Sequence, residues 1–373
     1  MFRNFKYLLR PTRQQETLLD FQLWQSRLIY NAALEERIKA YQEKGITITA
    51  YEQSKRFRAM RYTHPDTVGQ LNPHSINQTL RRLDKAYRTF FRQMKTGERF
   101  GFPEFKTRKS FRSYEYCYGY GCRLLVDPNG RARLRLQNVG SLRLCYHRSI
   151  PDNAHIKHVV IKNKNDRWWA FLMCEIPGAP CAPHSDSAIG IDIGLRYLLT
   201  FSDGTKMDNP RWLVHSQARM RVLQRRGSRR NKGSKRRART YRIVNKLYEK
   251  VTNQRRDHFH KITKWLVNQY GLIAIEDMPM AFMNQHAHLT YASYDASWGT
   301  FRRFLEYKAE AAGSQVIAVN PMYTSQRCSN CGDLVEKDLD TRIHDCPNCG
   351  LVLDRDVNAA INILLAALAL ANQ

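Results

Sequence analysis

Ile189-Gly190-Ile191-Asp192-Ile193-Gly194 sets one acid in an alternation of isoleucine and glycine. Successive side chains of a strand point to opposite faces. The isoleucines hold the odd positions, so Asp192 shares its face with Gly190 and Gly194. The pattern recurs in Leu272-Ile273-Ala274-Ile275-Glu276-Asp277, where Glu276 shares a face with Ala274 and Asp277 takes the other. A buried carboxylate is costly unless it is paired or bound to a metal. Two such acids on short apolar strands therefore suggest ligands.

A third acidic setting is Asp354-Arg355-Asp356-Val357-Asn358-Ala359-Ala360-Ile361-Asn362-Ile363-Leu364, at the start of a helical run. Asp354 and Asp356 stand two apart, so on a helix they point about 200° from each other. Asp354 can serve as the N-cap and leave Asp356 in the first turn; periodicity alone does not choose between them. Strand-acid, hairpin, strand-acid, helix-acid is the order of an RNase H-like fold. Its acids hold two divalent cations roughly 3.5–4 Å apart and hydrolyse phosphodiesters. Hard oxygen ligands favour Mg²⁺.

The charge agrees. Among 373 residues, 61 Lys and Arg face 33 acids, a net charge of +28. Such a surface binds phosphate backbones, with an affinity that falls steeply with salt. A hydrophobic content of 43%, with 16 Phe and 19 Tyr, is that of a folded core. No apolar run reaches the ~18 residues of a membrane span. The start, Met1-Phe2-Arg3-Asn4-Phe5-Lys6-Tyr7, has no signal-peptide core. The expectation is a cytoplasmic protein without a membrane partner.

Four of the nine cysteines form two knuckles, Cys328-Ser329-Asn330-Cys331 and Cys346-Pro347-Asn348-Cys349, each followed by glycine. Four thiolates at this spacing suit one structural Zn²⁺ with no open coordination position. Cys117, Cys122, Cys145, Cys174 and Cys181 lack such pairing and read as free thiols in a reducing compartment.

Outward from these motifs, residues 1–10 alternate as a strand. Thr12 and Gln15 have capping-box spacing before a helix that runs to about residue 44. A second helix is expected over about 75–95. From 101 the texture becomes β, with runs at 123–126, 132–136, 142–147, 156–161 and 168–175 and turns at Asp127-Pro128-Asn129-Gly130 and Asn163-Lys164-Asn165-Asp166. This is an antiparallel region, read as a small barrel that the first ten residues complete. Residues 178–183 read as a linker. Tyr197–Phe201 and the turn Ser202-Asp203-Gly204 read as a hairpin with the Asp192 strand. Two long helices fill 211–270. Between them nine Lys or Arg crowd positions 225–239, as a charged loop or a phosphate-binding stretch. A helix at 298–312, a strand at 315–320 and a final helix from about 357 complete the chain.

The motifs Gly190-Ile-Asp-x-Gly194, Ile275-Glu-Asp277, Thr324-Ser-Gln-x-Cys-Ser-x-Cys-Gly332, Cys346-x-x-Cys-Gly350 and Asp354-Arg-Asp-x-Asn-Ala-Ala-x-Asn-Ile363 together resemble the TnpB family of insertion-sequence nucleases, relatives of type V CRISPR effectors. A looser N-terminal match covers 7–15, 80–91 and 101–106, and Asn253, Arg256, Asp257, His260 and Lys261 also fit. The resemblance implies an RNA-guided DNA endonuclease. It implies a guide RNA from the end of the element, double-stranded target DNA read beside a short adjacent motif, and a single RuvC-like site. It selects Asp356 as the third acid beside Asp192 and Glu276, and suggests Arg342 as an assisting arginine. It implies a multidomain α/β architecture: residues 1–10 and 98–183 as a wedge-like β-barrel, 11–97 as a helical recognition bundle, 184–325 and 351–373 as the RuvC-like domain, and 326–350 as a zinc-ribbon insert. By the same analogy Tyr51, Ser75, Asn77, Gln78 and Ser113 read the adjacent motif. Arg225, Arg226, Arg229, Arg230, Lys232, Lys235, Arg236 and Arg237 stand as phosphate contacts in the basic run. The rivals are a nuclease-dead RNA-guided repressor, which predicts a missing acid, and a guide-independent RuvC-like nuclease or transposase.

Overall fold

The computed structural model describes residues 2–97, 101–177, 185–277, 297–338 and 341–371. The chain divides into two compact units, Met1–Gly178 and Ala179–Gln373. The expected linker at 178–183 and the free thiol at Cys181 lie outside the described residues. Among these residues no helix is long and apolar enough to cross a membrane.

The first unit is built on a seven-stranded antiparallel sheet. Its strands are β1 (Phe2–Arg10), β2 (Ser113–Cys117), β3 (Cys122–Val126), β4 (Ala132–Leu136), β5 (Gly140–Cys145), β6 (His155–Lys164) and β7 (Arg167–Glu175), in the order β2-β6-β7-β1-β5-β4-β3. The first residues of the chain do join the later strands: β1 pairs with both β7 and β5. The turn residues do what their chemistry allows. Asn165 and Asp166, both at positive φ, form a two-residue turn between β6 and β7. Gly130, at φ 74°, closes the β3–β4 turn, where Asp127 Oδ1 accepts from the Arg131 N–H at 2.7 Å. The outermost strands β2 and β3 are consecutive in sequence, and residues 118–121 join them, so the sheet's two edges approach at that corner. Alternate residues Leu134, Leu136, Leu142, Val159, Ile161, Ala170 and Leu172 supply its buried face.

Among the described residues three α-helices complete this unit, α1 (Arg13–Lys44), α2 (Ala50–Thr63) and α3 (Pro73–Thr96), with a 3₁₀ turn at Val68–Gln70 before α3. The Thr12–Gln15 capping box starts α1, and Gly45 in the left-handed region ends it. A second capping box, Thr49 with Glu52, starts α2, a helix that the sequence pattern does not reveal. Arg37 ties the three helices together. It pairs with Asp84 of α3 at 2.6 Å and donates to Gln53 Oε1 of α2 at 2.8 Å.

The second unit holds a five-stranded sheet of β8 (Ala188–Asp192), β9 (Tyr197–Phe201), β10 (Lys206–Asp208), β11 (Leu272–Glu276) and β12 (Gln315–Val319), in the order β10-β9-β8-β11-β12. β8, β11 and β12 run parallel; β9 and β10 are antiparallel additions. The turn at 202–204 therefore leads from β9 into β10, a third strand, and residues 193–196 close the β8–β9 hairpin. The helices are α4 (Trp212–Ser228), which packs against α5 (Lys235–Gln269), and α5, α6 (Trp298–Ala312) and α7 (Arg355–Ala371), which pack on the sheet. The odd-numbered Ile189, Ile191, Ile273 and Ile275 pack with Phe259, Leu266, Phe301 and Leu305 of α5 and α6. The even face meets α7, where Ala274 packs with Ile363 and Ala367. Gly190 makes that approach possible: a Cβ there would lie 2.0 Å from the Ala360 carbonyl oxygen.

Candidate active site and metal centre

The even face carries the acids. Asp192 ends β8, Glu276 ends β11, and these strands are hydrogen-bonded neighbours with Ile191 opposite Ile275. Asp356 stands in the first turn of α7, the helix seated on this face by Gly190. The three carboxylates converge. Burial, then the charges of Glu276 and Asp356, hold the Asp192 carboxyl well above the ordinary carboxylate range; Asp354 adds a smaller push. Burial also raises Glu276, partly offset by the Thr324 hydroxyl, which donates to Glu276 Oε1 at 2.6 Å. Asp277 faces the other way, as alternation requires, and pairs with Arg302 of α6.

The two aspartates of the third motif divide their tasks. Asp354 Oδ1 accepts the N–H groups of Asp356 and Val357 at 3.0 and 3.2 Å, an N-cap for α7. Its Oδ2 pairs with Lys206 Nζ of β10 at 2.6 Å. Burial opposes ionisation of Asp354, but these bonds outweigh it and hold its carboxyl below the usual value. Both oxygens of Asp354 are thus committed to structure. Asp356 faces Asp192, with the Arg355 guanidinium 3.3 Å from its Oδ1. Arg342, the suggested assisting arginine, is exposed, and its carbonyl accepts the Arg355 N–H at 2.9 Å. Sequence reasoning assigns nothing to Thr324, Lys206 or Arg355, although Thr324 and Arg355 lie inside quoted motifs.

The four cysteines form a second centre. Each knuckle sits at the tip of a paired segment: Cys328–Cys331 inside the Arg327–Leu334 bridge, and Cys346–Cys349 between β13 (Ile343–Asp345) and β14 (Val352–Asp354). Gly332 and Gly350, at φ 85° and 68°, donate N–H to the carbonyls of Cys328 and Cys346 and close the turns. All four Sγ atoms lie within 4.8 Å of one another; Cys328–Cys349 and Cys331–Cys346 are 3.6 and 3.5 Å apart. Sulfurs about 2.3 Å from a central ion are about 3.8 Å apart in a tetrahedron, whereas a disulfide needs about 2.05 Å. The cluster is shaped to hold a metal ion. Cys117, Cys122, Cys145 and Cys174 are free thiols.

The two centres are joined through α7. Asn358 Nδ2 and Asn362 Nδ2 both donate to the Arg327 carbonyl, at 2.8 and 2.7 Å, and Asn362 also to Thr324 O at 2.8 Å. Asn358 Oδ1 accepts the Ser329 N–H at 3.0 Å. The two asparagines of the third motif therefore clamp the first knuckle to the helix that carries Asp356.

The basic run forms the end of a helical hairpin. Arg225 and Arg226 close α4, and Lys235, Arg236 and Arg237 open α5. Arg225, Arg226, Arg229, Lys232, Lys235 and Arg236 are exposed. Arg230 is half-buried and braces the turn by donating to Arg236 O and Thr240 Oγ1; Arg237 lies over the Tyr241 ring. In the first unit, Tyr51 is exposed at the start of α2. Asn77 Oδ1 accepts from the Ser54 hydroxyl at 2.6 Å, and Gln78 Nε2 reaches Cys117 Sγ at 3.4 Å. Ser113 accepts two hydrogen bonds from Arg82. Ser75, near the start of α3, is buried at 1% exposure.

Family models match three stretches. One described as "Probable transposase" covers 171–287, one described as "Cas12f1-like, TNB domain" covers 298–363, and one described as "Helix-turn-helix domain" covers 1–45. Within the last, the chain forms β1 and one 32-residue helix. A Streptomyces pristinaespiralis protein named "Putative RNA-guided DNA endonuclease" is 32% identical over 380 residues, covering 98% of this chain and 90% of that protein. Escherichia coli K12 InsQ, named likewise, is 29% identical over 351 residues, covering 90% of this chain and 84% of its own length. In fold, the Cas12f1 chain of a cryo-EM complex with sgRNA and target DNA aligns with a TM-score of 0.64 at 17% identity, over 94% of this chain and 83% of that one. The mini-RNA-guided endonuclease CRISPR-Cas_phi3 aligns at 0.59 and 9% identity, over 98% and 92%. With its motifs in order, its acids gathered from two neighbouring strands and a helix start, and a relative 32% identical over 98% of this chain and 90% of its own length, the chain belongs to the TnpB family of RNA-guided DNA endonucleases.

Proposed function

We propose that this protein carries an element-derived guide RNA and cuts complementary double-stranded DNA beside a short motif, by hydrolysis at Asp192, Glu276 and Asp356. The observation that carries the chemistry is the convergence of these acids from two adjacent parallel strands and a helix start. The donor set fits divalent cations: burial first, then the charges of Glu276 and Asp356, holds the Asp192 carboxyl well above the ordinary carboxylate range. Two Mg²⁺ ions held there would supply an activated water and stabilise the leaving 3′ oxygen. The protein's own part is to hold the carboxylates: Thr324 orients Glu276, Asp354 caps the helix beneath Asp356, and Arg355 braces Asp356. The four cysteines suit Zn²⁺ in a structural role. We assign residues 1–10 and 98–183 to a wedge barrel, 11–97 to the recognition bundle, 184–325 and 351–373 to a RuvC-like domain and 326–350 to the zinc ribbon. The exposed arginines and lysines of 225–237 contact phosphates, and Tyr51, Asn77, Gln78 and Ser113 stand nearest the adjacent motif. The setting is the prokaryotic cytoplasm, where the target DNA lies. Swapping the 3′ guide segment of the bound RNA tests the proposal. The cut should follow the new segment; RNA-free protein cutting the same DNA equally well would leave only an unguided nuclease.

A further inference from the structure

The first unit contains a cleft unrelated to the acids. Its volume is about 540 Å³, and Phe21, Trp24, Arg27, Arg108, Arg112 and Asp166 are among its walls. Three observations describe it. Trp24 is 46% exposed, an aromatic ring left open to solvent on α1, with Phe21 5.9 Å away at a tilted angle. Phe111 is buried beneath the cleft, packed against Tyr30 at 6.0 Å with the Arg82 guanidinium over it. Arg27, Arg108 and Arg112 line the same cleft; Arg27 Nη1 reaches Lys106 O at 3.5 Å, Arg112 Nε donates to Lys109 O at 3.3 Å, and the Arg112 carbonyl accepts the Asn163 N–H at 2.9 Å.

An aromatic face beside arginines matches an unstacked base with its phosphates. The carboxylate of Asp20 on the same wall argues against a bare anion, but it can accept from the amino and imino groups of a base edge. The size is that of a small-ligand site, roughly 300–1,000 Å³. RNA loops and ends present such bases, whereas a paired target duplex does not. We infer that this cleft seats one unstacked nucleotide of the RNA that the protein carries, with Trp24 as the stacking platform and Arg108 and Arg112 on the flanking phosphates. The inference rests on the RNA-guided reading above.

The test uses the full chain and the RNA that co-purifies with it, stripped, labelled and rebound across a KCl series. Trp24→Ala should weaken rebinding roughly 10-fold or more with the salt slope unchanged, because stacking releases no counterions. Trp24→Phe should restore most of the loss. Arg108→Gln with Arg112→Gln should flatten the slope by about 0.7 for each phosphate no longer neutralised. Tyr62→Ala, at an exposed ring of α2, is the control and should bind as wild type. Trp24→Ala rebinding at wild-type affinity, while wild type holds RNA and cuts under its guidance, overturns the cleft alone. Unchanged RNA rebinding with weakened target-DNA binding also overturns it, assigning the cleft to DNA. A wild-type protein that holds no RNA overturns the guided reading and the cleft together.

Discussion

At the scale of single residues, the site is a contest between burial and charge. Replacing Asp192, Glu276 or Asp356 by the matching amide should abolish plasmid cleavage, while gel shifts with guide RNA and target remain close to wild type. Asp354→Asn should behave differently. It keeps one cap acceptor but loses the Lys206 pair, so it should cost about 1 kcal/mol of stability and leave most of the cleavage. Full loss in Asp354→Asn with activity in Asp356→Asn would exchange their roles. The raised Asp192 carboxyl also sets a pH dependence. Its folded-state carboxyl holds a proton more tightly than the unfolded chain does. In metal-free protein, stability should therefore fall as pH rises from the ordinary carboxylate range through the raised value. At neutral pH the metal-free Asp192→Asn variant should melt higher than wild type, and added Mg²⁺ should raise the melting temperature of wild type more than that of the variant. A wild-type melt that climbs over that pH range would show that Asp192 is not held unfavourably.

At the scale of elements, the placement of α7 decides whether the acids meet. Gly190→Ala would drive a Cβ into the Ala360 carbonyl, so the helix must shift. Loss of cleavage with several kcal/mol of destabilisation is expected. Gly299→Ala, in α6 with open space around it, should instead be neutral or stabilise by up to about 1 kcal/mol. Thermal melts of both variants check this. The second knuckle's hairpin leads through β14 straight into α7, so chelation or Cys346→Ser should remove cleavage along with the metal; normal cutting by zinc-free protein would separate the ribbon from the site. These elements differ in how far their residues announce them. Asp192 and Glu276 are legible because isoleucine alternates strictly around them, and the cysteines because spacing alone defines a knuckle. α2 is not: only Gln53, Ser54 and Phe57 of its 14 residues are buried, too few to mark a stripe. β10, three residues long, is too short to show a period, and β2, Ser113–Cys117, carries no β-branched residue to mark its alternation. Lys206 escapes notice because its partner Asp354 lies 148 residues away, a pairing no local pattern carries.

At the scale of the whole molecule, a charge of +28 makes association an ionic-strength problem. Changing Arg225, Arg226, Arg229 and Lys232 to Gln should weaken nucleic-acid binding across all sequences and lower the salt slope by about 0.7–0.9 for each phosphate left without a cation. Changed sequence preference with an unchanged slope would mean that these side chains read bases. The strand order holds one more consequence. β8 and β11 are neighbours in the sheet, yet α4 and α5 lie between them in sequence, and α7 reaches β8 across most of the unit. Pairings this distant close late and slowly during folding. A half-folded chain can therefore possess its separate strands and helices without possessing a blade, and the cell meets an armed nuclease only when assembly is complete.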